Sequence, residues 1–386
     1  MKHRAGWLLA AAFALGHGKL AAQNSDVSVW QGTLGRQAIV VEKSASMAGN
    51  PDCGGRYFYR RYRLDIRLDG KADATGACTM EELPARWSED DPKPTWRMGL
   101  PAQGRWDGEW VGTDGRRLPI RLARVTELPE AAAPSLTALR GDFDPYTYLR
   151  LSTLTLRPDQ RETVNGYGLR WLLQPDSDIR LFEVTSGYPP AAQAAINTRL
   201  HRRLWQWVED QYQCRSGSEP GAAGFDAADA TLRHIDARVV SVSLFTSYYC
   251  GGAHPDFGDA PLNIDARNGA ELRLEDVLWL GKGDPVHQGA GKLDRAWAQY
   301  RQATFAPWVV AQFETLYPDE MRPPEGDDGC DYRTPDVWDF TDWYVLPSGI
   351  HLAAYFPRVL RVCDDPDWAV LPWRVVEAHP GPVRLH

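Results

Sequence analysis

Apolar and polar residues alternate along much of the first third of the chain, which predicts strands. From 58 to 68, even-numbered positions are mostly apolar and odd-numbered positions mostly charged. This is the period of a strand with one buried face. Two further runs, 106–111 and 118–122, flank Asp114-Gly115, a dipeptide typical of a type I′ hairpin turn. Residues 23–127 are therefore predicted to form a small all-β module.

A helical period appears in the second part of the chain. After Pro189-Pro190, apolar residues recur every four positions, at Ile196, Leu200, Leu204 and Val208. This pattern predicts an amphipathic helix over 191–211 that packs on a sheet. Strand-like runs occur at 169–173, 179–185, 237–249, 262–264, 343–356 and 369–376. Residues 140–386 are therefore predicted to form an α+β domain of antiparallel strands with one main packed helix. Residues 128–139, which hold two prolines, are predicted to be a linker.

The amino terminus has the pattern of a secretory signal. Lys2 and Arg4 precede the apolar run 7–15, and small residues follow as far as Ala21-Ala22. The apolar run is too short to cross a bilayer as a helix, and no later segment is long enough. Residues 1–22 are therefore predicted to be a signal peptide, and the mature protein to be periplasmic or secreted without a membrane span.

The charge balance restricts the class of partner. The chain carries 43 basic and 51 acidic residues, a net charge of −8. Loss of 1–22 would remove Lys2, Arg4 and Lys19 but no acid, and so would change the net charge to −11. An acidic protein is disfavoured for binding nucleic acid or anionic membranes. The same charge accelerates encounter with a basic partner.

Six cysteines indicate structural disulfides in an oxidising compartment. The predicted pairs are sequential, because each then falls within one local region: Cys53–Cys78, Cys214–Cys250 and Cys330–Cys363. The cysteines do not occur in Cys-x-x-Cys or Cys-x-x-His spacing, which disfavours a metal cluster. No metal and no cofactor is predicted.

The segment Ser247-Tyr-Tyr-Cys-Gly-Gly-Ala-His-Pro255 is the main candidate binding element. Adjacent glycines permit positive φ values after a strand, and Asn268-Gly269 further on predicts a hairpin over 262–276. The candidate partner-binding residues in this segment are Tyr249, Gly251, Gly252 and His254. His254 has two interpretations: it contacts a partner or titrates near neutral pH, or it simply caps the turn before Pro255.

The order of these motifs resembles the RsiV-like extracytoplasmic domain, which occurs in RsiV-type anti-sigma factors and beside PdaC-type peptidoglycan deacetylases. The matching features are the Gly187–Pro189 turn, Asn197, Gly251-Gly-Ala-His254, Asp265 to Asp276, Pro347-Ser-Gly-Ile-His-Leu352 and Tyr355-x-Pro357. The resemblance implies a binding role, with a lysozyme-like peptidoglycan hydrolase as the partner. The chain departs from the family in lacking a sigma-binding segment, a transmembrane helix and a deacetylase domain, and in placing Cys250 inside the motif.

Acidic clusters provide a second candidate binding region. One cluster spans 325–331, with Asp336 and Asp339 beyond it, and another spans 364–367. A Cys330–Cys363 disulfide would draw them together into a negative patch for a basic partner, and Asp327 and Asp328 are its candidate contacts. Oxygen-rich loops also bind calcium, and solvated loop charge is the third interpretation.

The sequence thus predicts a non-enzymatic envelope protein that binds or inhibits a lysozyme-like hydrolase. An alternative is a cell-wall glycan-binding module that uses exposed Trp87, Trp96 or Trp106, unless these residues pack locally. A second alternative is an envelope enzyme that combines His254 or His351 with an aspartate. Against it, the chain contains neither a Gly-x-Ser-x-Gly nor a His-Glu-x-x-His motif.

Overall fold

A computed structural model describes residues 27–44, 52–83, 91–218, 224–289, 294–324, 326 and 329–386. The chain divides into two compact units, one ending at Pro129 and the other beginning at Glu130, with residues 63–65 grouped with the second. The predicted α+β class is confirmed, since most strands are antiparallel and helices are few. The predicted signal peptide lies outside the described residues.

The first unit is a closed barrel of eight strands in sequential order, completed by pairing of the first strand with the last. The strands are β1 (Ser28–Leu34), β2 (Gln37–Lys43), β3 (Asp52–Tyr59), β4 (Asp65–Ala72), β5 (Cys78–Leu83), β6 (Thr95–Met98), β7 (Arg105–Val111) and β8 (Arg117–Arg124). Large aromatic side chains fill its interior, among them Trp30, Tyr57, Trp96 and Trp106. This matches the predicted all-β module.

A buried carboxylate organises this aromatic interior. Glu82 is only 7% exposed. Its Oε1 accepts hydrogen bonds from Tyr57 Oη at 2.6 Å, Trp96 Nε1 at 2.8 Å and Trp110 Nε1 at 2.9 Å. A charge this deeply buried is tolerated because several donors satisfy it. The same burial and the nearby Glu82 charge raise the pKa of Tyr57 well above its usual range, which keeps the phenol protonated as a donor.

Two local predictions in this region are wrong. The alternating segment 58–68 is not one strand: β3 ends at Tyr59, a turn follows, and β4 begins at Asp65. Arg63 makes the reversal with a φ of 60°, a conformation that an arginine does not signal in sequence. At the β7–β8 turn Gly115 has a φ of 79°, whereas Asp114 has no positive φ. The type I′ assignment is therefore incorrect, and Asp114 Oδ1 instead accepts from Arg116 N at 3.0 Å.

The second unit contains three small antiparallel sheets and seven α-helices among the described residues. The first sheet has the order β11 (Ile179–Ser186), β10 (Tyr167–Gln174), β9 (Arg157–Val164). In the second, β13 (Val239–Tyr248) pairs with β12 (Phe225–Ile235), β14 (Asp256–Asp259) and β15 (Leu262–Asp265). The third has the order β16 (Trp343–Leu346), β17 (Gly349–Leu352), β18 (Val370–Pro372).

The helices of this unit are α1 (Pro134–Ala138), α2 (Pro145–Leu151), α3 (Pro190–Gly217), α4 (Leu274–Val277), α5 (Arg295–Tyr300), α6 (Ala306–Leu316) and α7 (Trp373–Val376). A π-helical turn, Arg301–Phe305, joins α5 to α6, and 3₁₀ turns occur at Pro335–Trp338 and Arg358–Cys363. Within the described parts of the chain, no helix is long and apolar enough to cross a membrane.

The long helix α3 packs through the predicted stripe. Ile196, Leu200 and Leu204 are each at most 1% exposed. Asn197 fixes the helix to β11, because its Oδ1 accepts from Val184 N at 2.7 Å and its Nδ2 donates to Val184 O at 2.8 Å. The amide replaces a strand partner at this edge of the sheet. Asn197 therefore has a structural role.

Three further predictions need correction. The linker predicted at 128–139 contains α1, whose Leu136 is buried. The hairpin predicted over 262–276 has only one bridge, Ile264–Glu271, before α4 begins. The second strand ends early because Asp276 Oδ2 accepts a hydrogen bond from Arg273 N at 2.8 Å, which starts a helix. The continuous helical segment from α5 to α6 was not expected, so α3 is not the only sizeable helix.

Candidate functional site

The loop at 249–255 joins β13 to β14 through two glycines in the left-handed region. Gly251 has a φ of 84° and Gly252 a φ of 110°. A Cβ on Gly251 would lie 2.1 Å from the carbonyl oxygen of Gly217. Because that approach is far inside van der Waals contact, the end of α3 requires glycine here. A Cβ on Gly252 would meet nothing within 4 Å, so this glycine faces open space.

Several contacts hold this loop in place. The Cys214–Cys250 disulfide joins it to the last turns of α3, with Cα atoms 4.3 Å apart. Ser218 Oγ donates to Tyr249 O at 2.7 Å, and Tyr249 Oη donates to Gly252 O at 3.0 Å. The loop is therefore ordered before any partner arrives, and less conformational entropy is lost on association.

His254 lies at the exposed tip of the loop. Its Nδ1 is 3.2 Å from the carbonyl oxygen of Pro255. Within the described residues, no carboxylate or nucleophile is hydrogen-bonded to it. The ring remains accessible, so the structure is compatible with His254 as a contact residue but supplies no catalytic partner for it.

The other two disulfides also follow the predicted sequential pairing. Cys53 and Cys78 pair in the barrel with Cα atoms 6.2 Å apart, and Cys330 and Cys363 pair in the second unit at 5.6 Å. All six cysteines are paired. The Cys330–Cys363 bond fixes the end of the 3₁₀ turn Arg358–Cys363. From that turn Arg358 Nη1 donates to Pro255 O at 3.0 Å, which brings the turn beside the loop.

Arg361 connects the same turn to the strand that follows the loop. Its guanidinium carbon lies 4.8 Å from the centre of the Phe257 ring and 4.7 Å from that of Tyr355. Its Nε is 2.6 Å from Asp364 Oδ2, and its Nη1 is 3.4 Å from Asp256 Oδ1. One arginine thus holds two aromatic rings and two carboxylates from different segments in a fixed arrangement.

This arrangement exposes apolar side chains. Val362 is 91% exposed, Val359 88%, Tyr355 61% and Phe257 38%. We call the loop 249–257 together with Tyr355, Val359 and Val362 the loop face. Single exposed apolar residues are ordinary, but several on a braced segment are typical of a surface that contacts another macromolecule.

A cavity of about 510 Å³ opens beside the loop. Its walls include Trp207, Phe225 and Tyr248, and the Cys214–Cys250 disulfide forms part of its lining. Two carboxylates, Asp210 and Asp259, and the guanidinium of Arg203 also line it. Sequence reasoning missed this cavity, because its residues come from α3 and three strands that only the fold brings together.

Part of the predicted acidic patch lies within the described residues. Asp327 and Asp328 lie outside the described residues. Near the Cys330–Cys363 bond, Asp331 is paired with Arg333 at 2.9 Å, as Asp364 is with Arg361. Asp331 and Asp364 are therefore locally neutralised. No group of three or more metal-binding side chains occurs among the residues that the structure describes.

Two of the tryptophans considered for sugar binding are inside the barrel. Trp96 is fully buried and Trp106 is 1% exposed, so neither offers a face to a glycan, and local packing is the correct interpretation for both. Trp87 lies outside the described residues. The barrel interior needs these rings as filling, which explains why the indoles occur in segments that otherwise look polar.

His351, the other histidine considered for catalysis, is 1% exposed. Its ring stacks on Tyr344 with centroids 4.3 Å apart, its Nε2 is 3.0 Å from Pro366 O, and its Nδ1 is 3.6 Å from Asp365 Oδ1. Burial lowers the pKa of His351, which favours the neutral ring. The burial of the ring separates it from solvent.

Comparison with known proteins adds no assignment to this geometry. The chain matches no protein-family model and no curated protein.

Proposed function

We propose that this chain is a periplasmic or secreted, non-enzymatic binding protein that recognises another macromolecule of the cell envelope through the loop face. The observation that carries the proposal is the exposure of Tyr355, Val359 and Val362 beside a loop that a disulfide and Arg361 hold in place. Exposed aromatic and aliphatic side chains on an ordered backbone are the usual anchors of protein interfaces.

The cavity beside the loop face supports a basic partner. Its aromatic walls suit the alkyl part of a lysine or arginine side chain, and the two carboxylates Asp210 and Asp259, which outnumber the one lining guanidinium of Arg203, suit the charged end. Asp259 Oδ1 already accepts from Leu244 N at 2.6 Å, which orients its carboxylate. Such a cavity would receive one basic anchor residue while the loop face makes the surrounding apolar contacts.

The net charge of the chain favours the same class of partner. An excess of acidic over basic residues accelerates encounter with a basic protein, most strongly at low ionic strength. With the resemblance to the RsiV-like domain, this charge supports a lysozyme-like peptidoglycan hydrolase as the partner, and an inhibitory or immunity role. The three disulfides support an oxidising compartment.

The proposal is tested by titrating mature protein against a c-type lysozyme and a bacterial lytic transglycosylase at low salt. Binding is measured by calorimetry and inhibition by turbidity loss of a cell-wall suspension. The informative variant is Val359→Asp/Val362→Asp, because both side chains are almost fully exposed and their change leaves the core intact. Val27→Asp is the matched control, since Val27 is 52% exposed in the barrel unit.

We expect the double variant to weaken binding of the responsive hydrolase about tenfold or more, equivalent to about 1.4 kcal/mol, whereas Val27→Asp binds as wild type. Absence of binding by both hydrolases at low salt argues against the partner class. Equal affinity of both variants and wild type removes the loop face as the contact surface.

A further inference from the structure

A second cavity, of about 650 Å³, lies in a different part of the second unit. It is enclosed by the start of α4, by α5 with the π-helical turn, and by the segment 340–343 that leads into β16. Its volume is within the usual range of small-ligand sites. None of the residues that form the loop face lines this cavity.

An aromatic pair forms one wall. The rings of Trp297 and Phe340 are 5.4 Å apart with an interplanar angle of 31°. Trp297 is 7% exposed and its Nε1 donates to Glu275 Oε1 at 2.8 Å, whereas Phe340 is 47% exposed. Trp297 therefore supports a phenylalanine whose face stays open. A large apolar ring left exposed at a cavity wall is suited to stacking against a ligand.

A buried ion pair also lines the cavity. Arg301 and Glu275 are 4% and 2% exposed, and Arg301 Nε donates to Glu275 Oε1 at 2.6 Å. Arg301 Nη1 is buried and has no hydrogen-bond partner in the described structure, an arrangement that is costly unless a ligand or rearrangement satisfies it. Arg301 also begins the π-helical turn, and such turns occur often at functional sites.

Asp342 supplies an accessible carboxylate to the same cavity. Asp342 is exposed where it lines the cavity. Protein atoms nevertheless surround the carboxylate on its other sides and partly exclude water from it. This burial, together with the charges of Asp259 and Asp365, raises its pKa to about 6. An accessible acid with a raised pKa in a cleft is a feature of ligand sites.

We propose that this cavity binds a neutral pyranose sugar unit, which stacks on Phe340 and forms hydrogen bonds with Asp342 and Arg301. The mixed charge of the lining favours this class. Carboxylates from Glu271, Glu275 and Asp342 disfavour a phosphate, and the guanidinium groups of Arg273 and Arg301 disfavour a cation. Hydroxyl groups both donate and accept, so a sugar satisfies both kinds of side chain. The inference does not depend on the proposed partner of the loop face.

The test uses full mature protein and two neutral trisaccharides, the β-1,4-linked N-acetylglucosamine trimer and cellotriose. Binding is followed by calorimetry and by tryptophan fluorescence, since Trp297 contacts the stacking residue. Phe340→Ala and Asp342→Asn alter accessible side chains, and circular dichroism with thermal unfolding checks that both variants fold. Tyr355→Ala is the matched control, because it removes an exposed aromatic ring from the loop face instead.

We expect saturable binding of at least one trisaccharide, weakened about tenfold by Phe340→Ala and several-fold by Asp342→Asn, with Tyr355→Ala unchanged. Lack of saturation by both sugars up to millimolar concentration overturns the inference, as does equal affinity of folded Phe340→Ala and wild type. The hydrolase titration separates the two proposals, because Phe340→Ala should leave hydrolase binding intact.

Discussion

Removal of the Cys214–Cys250 disulfide should loosen the loop face more than any other single change in the covalent framework. The double variant Cys214→Ala/Cys250→Ala removes the disulfide that cross-links the loop to α3. Hydrogen bonds from Ser218 and Tyr249 remain, so the loop should keep its approximate path but sample more conformations. Both the stability of the second unit and the affinity of the loop face should fall.

The expected loss of stability follows from the 36-residue separation of the two cysteines. In the chain-entropy description, closing a loop of that length stabilises the folded state by about 3.8 kcal/mol at 25 °C. For a unit of this size, such a loss lowers Tm by about 8–15 °C. The affinity loss adds to this, because a loop that must be ordered on binding loses entropy at that step.

The assay is differential scanning calorimetry of mature protein, followed by hydrolase titration well below the lower Tm. The matched control is Cys53→Ala/Cys78→Ala, whose separation of 25 residues predicts a similar loss of about 3.5 kcal/mol. This control should destabilise the barrel unit but leave hydrolase affinity unchanged. A Cys214→Ala/Cys250→Ala protein with wild-type Tm would refute the stability argument, and undiminished affinity would refute the role of the disulfide in pre-organisation.

Three further variants test a buried carboxylate, Glu82, and an accessible one, Asp342. Glu82→Ala leaves the donors of Tyr57, Trp96 and Trp110 without their acceptor and should destabilise the barrel by about 3 kcal/mol or more. Glu82→Gln keeps an oxygen as acceptor and should therefore destabilise the barrel less. Equal losses of unfolding free energy for the two variants in urea would contradict this. Asp342 has a folded pKa raised to about 6, so the folded state retains its proton more strongly, and stability falls as pH rises from about 4 to about 6. Asp342→Asn should therefore raise Tm at pH 7.5 by the equivalent of about 1 kcal/mol or less, because the carboxylate is accessible to solvent. At pH 4 the variant should have the Tm of the wild type. A higher Tm at both pH values would show that the effect has a cause other than ionisation of Asp342.

Features with a strong local signal were predictable from the sequence. The stripe Ile196, Leu200 and Leu204 is buried as its period requires. The sequential disulfides also follow, because each pair joins neighbouring segments. The central strand β13, whose first six residues are buried on both faces, combines β-branched residues with turn signals at both ends. Secondary structure with a clear period, and disulfides between neighbouring segments, could therefore be predicted without a structure.

The candidate sites were less predictable because long-range packing creates them. Val359 and Val362 look like ordinary core residues in sequence, yet the 3₁₀ turn directs both outward. Phe340 and Arg301 are 39 positions apart and meet only because the π-helical turn and the segment before β16 line one cavity. No periodic pattern in the sequence indicates that two such distant residues line the same cavity. Exposure of an apolar residue is itself a tertiary property.

The positions of the disulfides explain how the loop face stays exposed without collapsing. Apolar side chains at the surface gain free energy by turning inward, and flexible segments would permit that movement. In the second unit both disulfides end beside exposed segments: Cys250 precedes the glycine pair, and Cys363 follows Val362 directly. Arg361 then packs over the faces of the Phe257 and Tyr355 rings. The disulfides thus restrict the backbone at the positions where exposed apolar side chains would otherwise turn inward and become buried. Reduction of the disulfides should therefore cause the loop face to collapse before the core around α3 is lost.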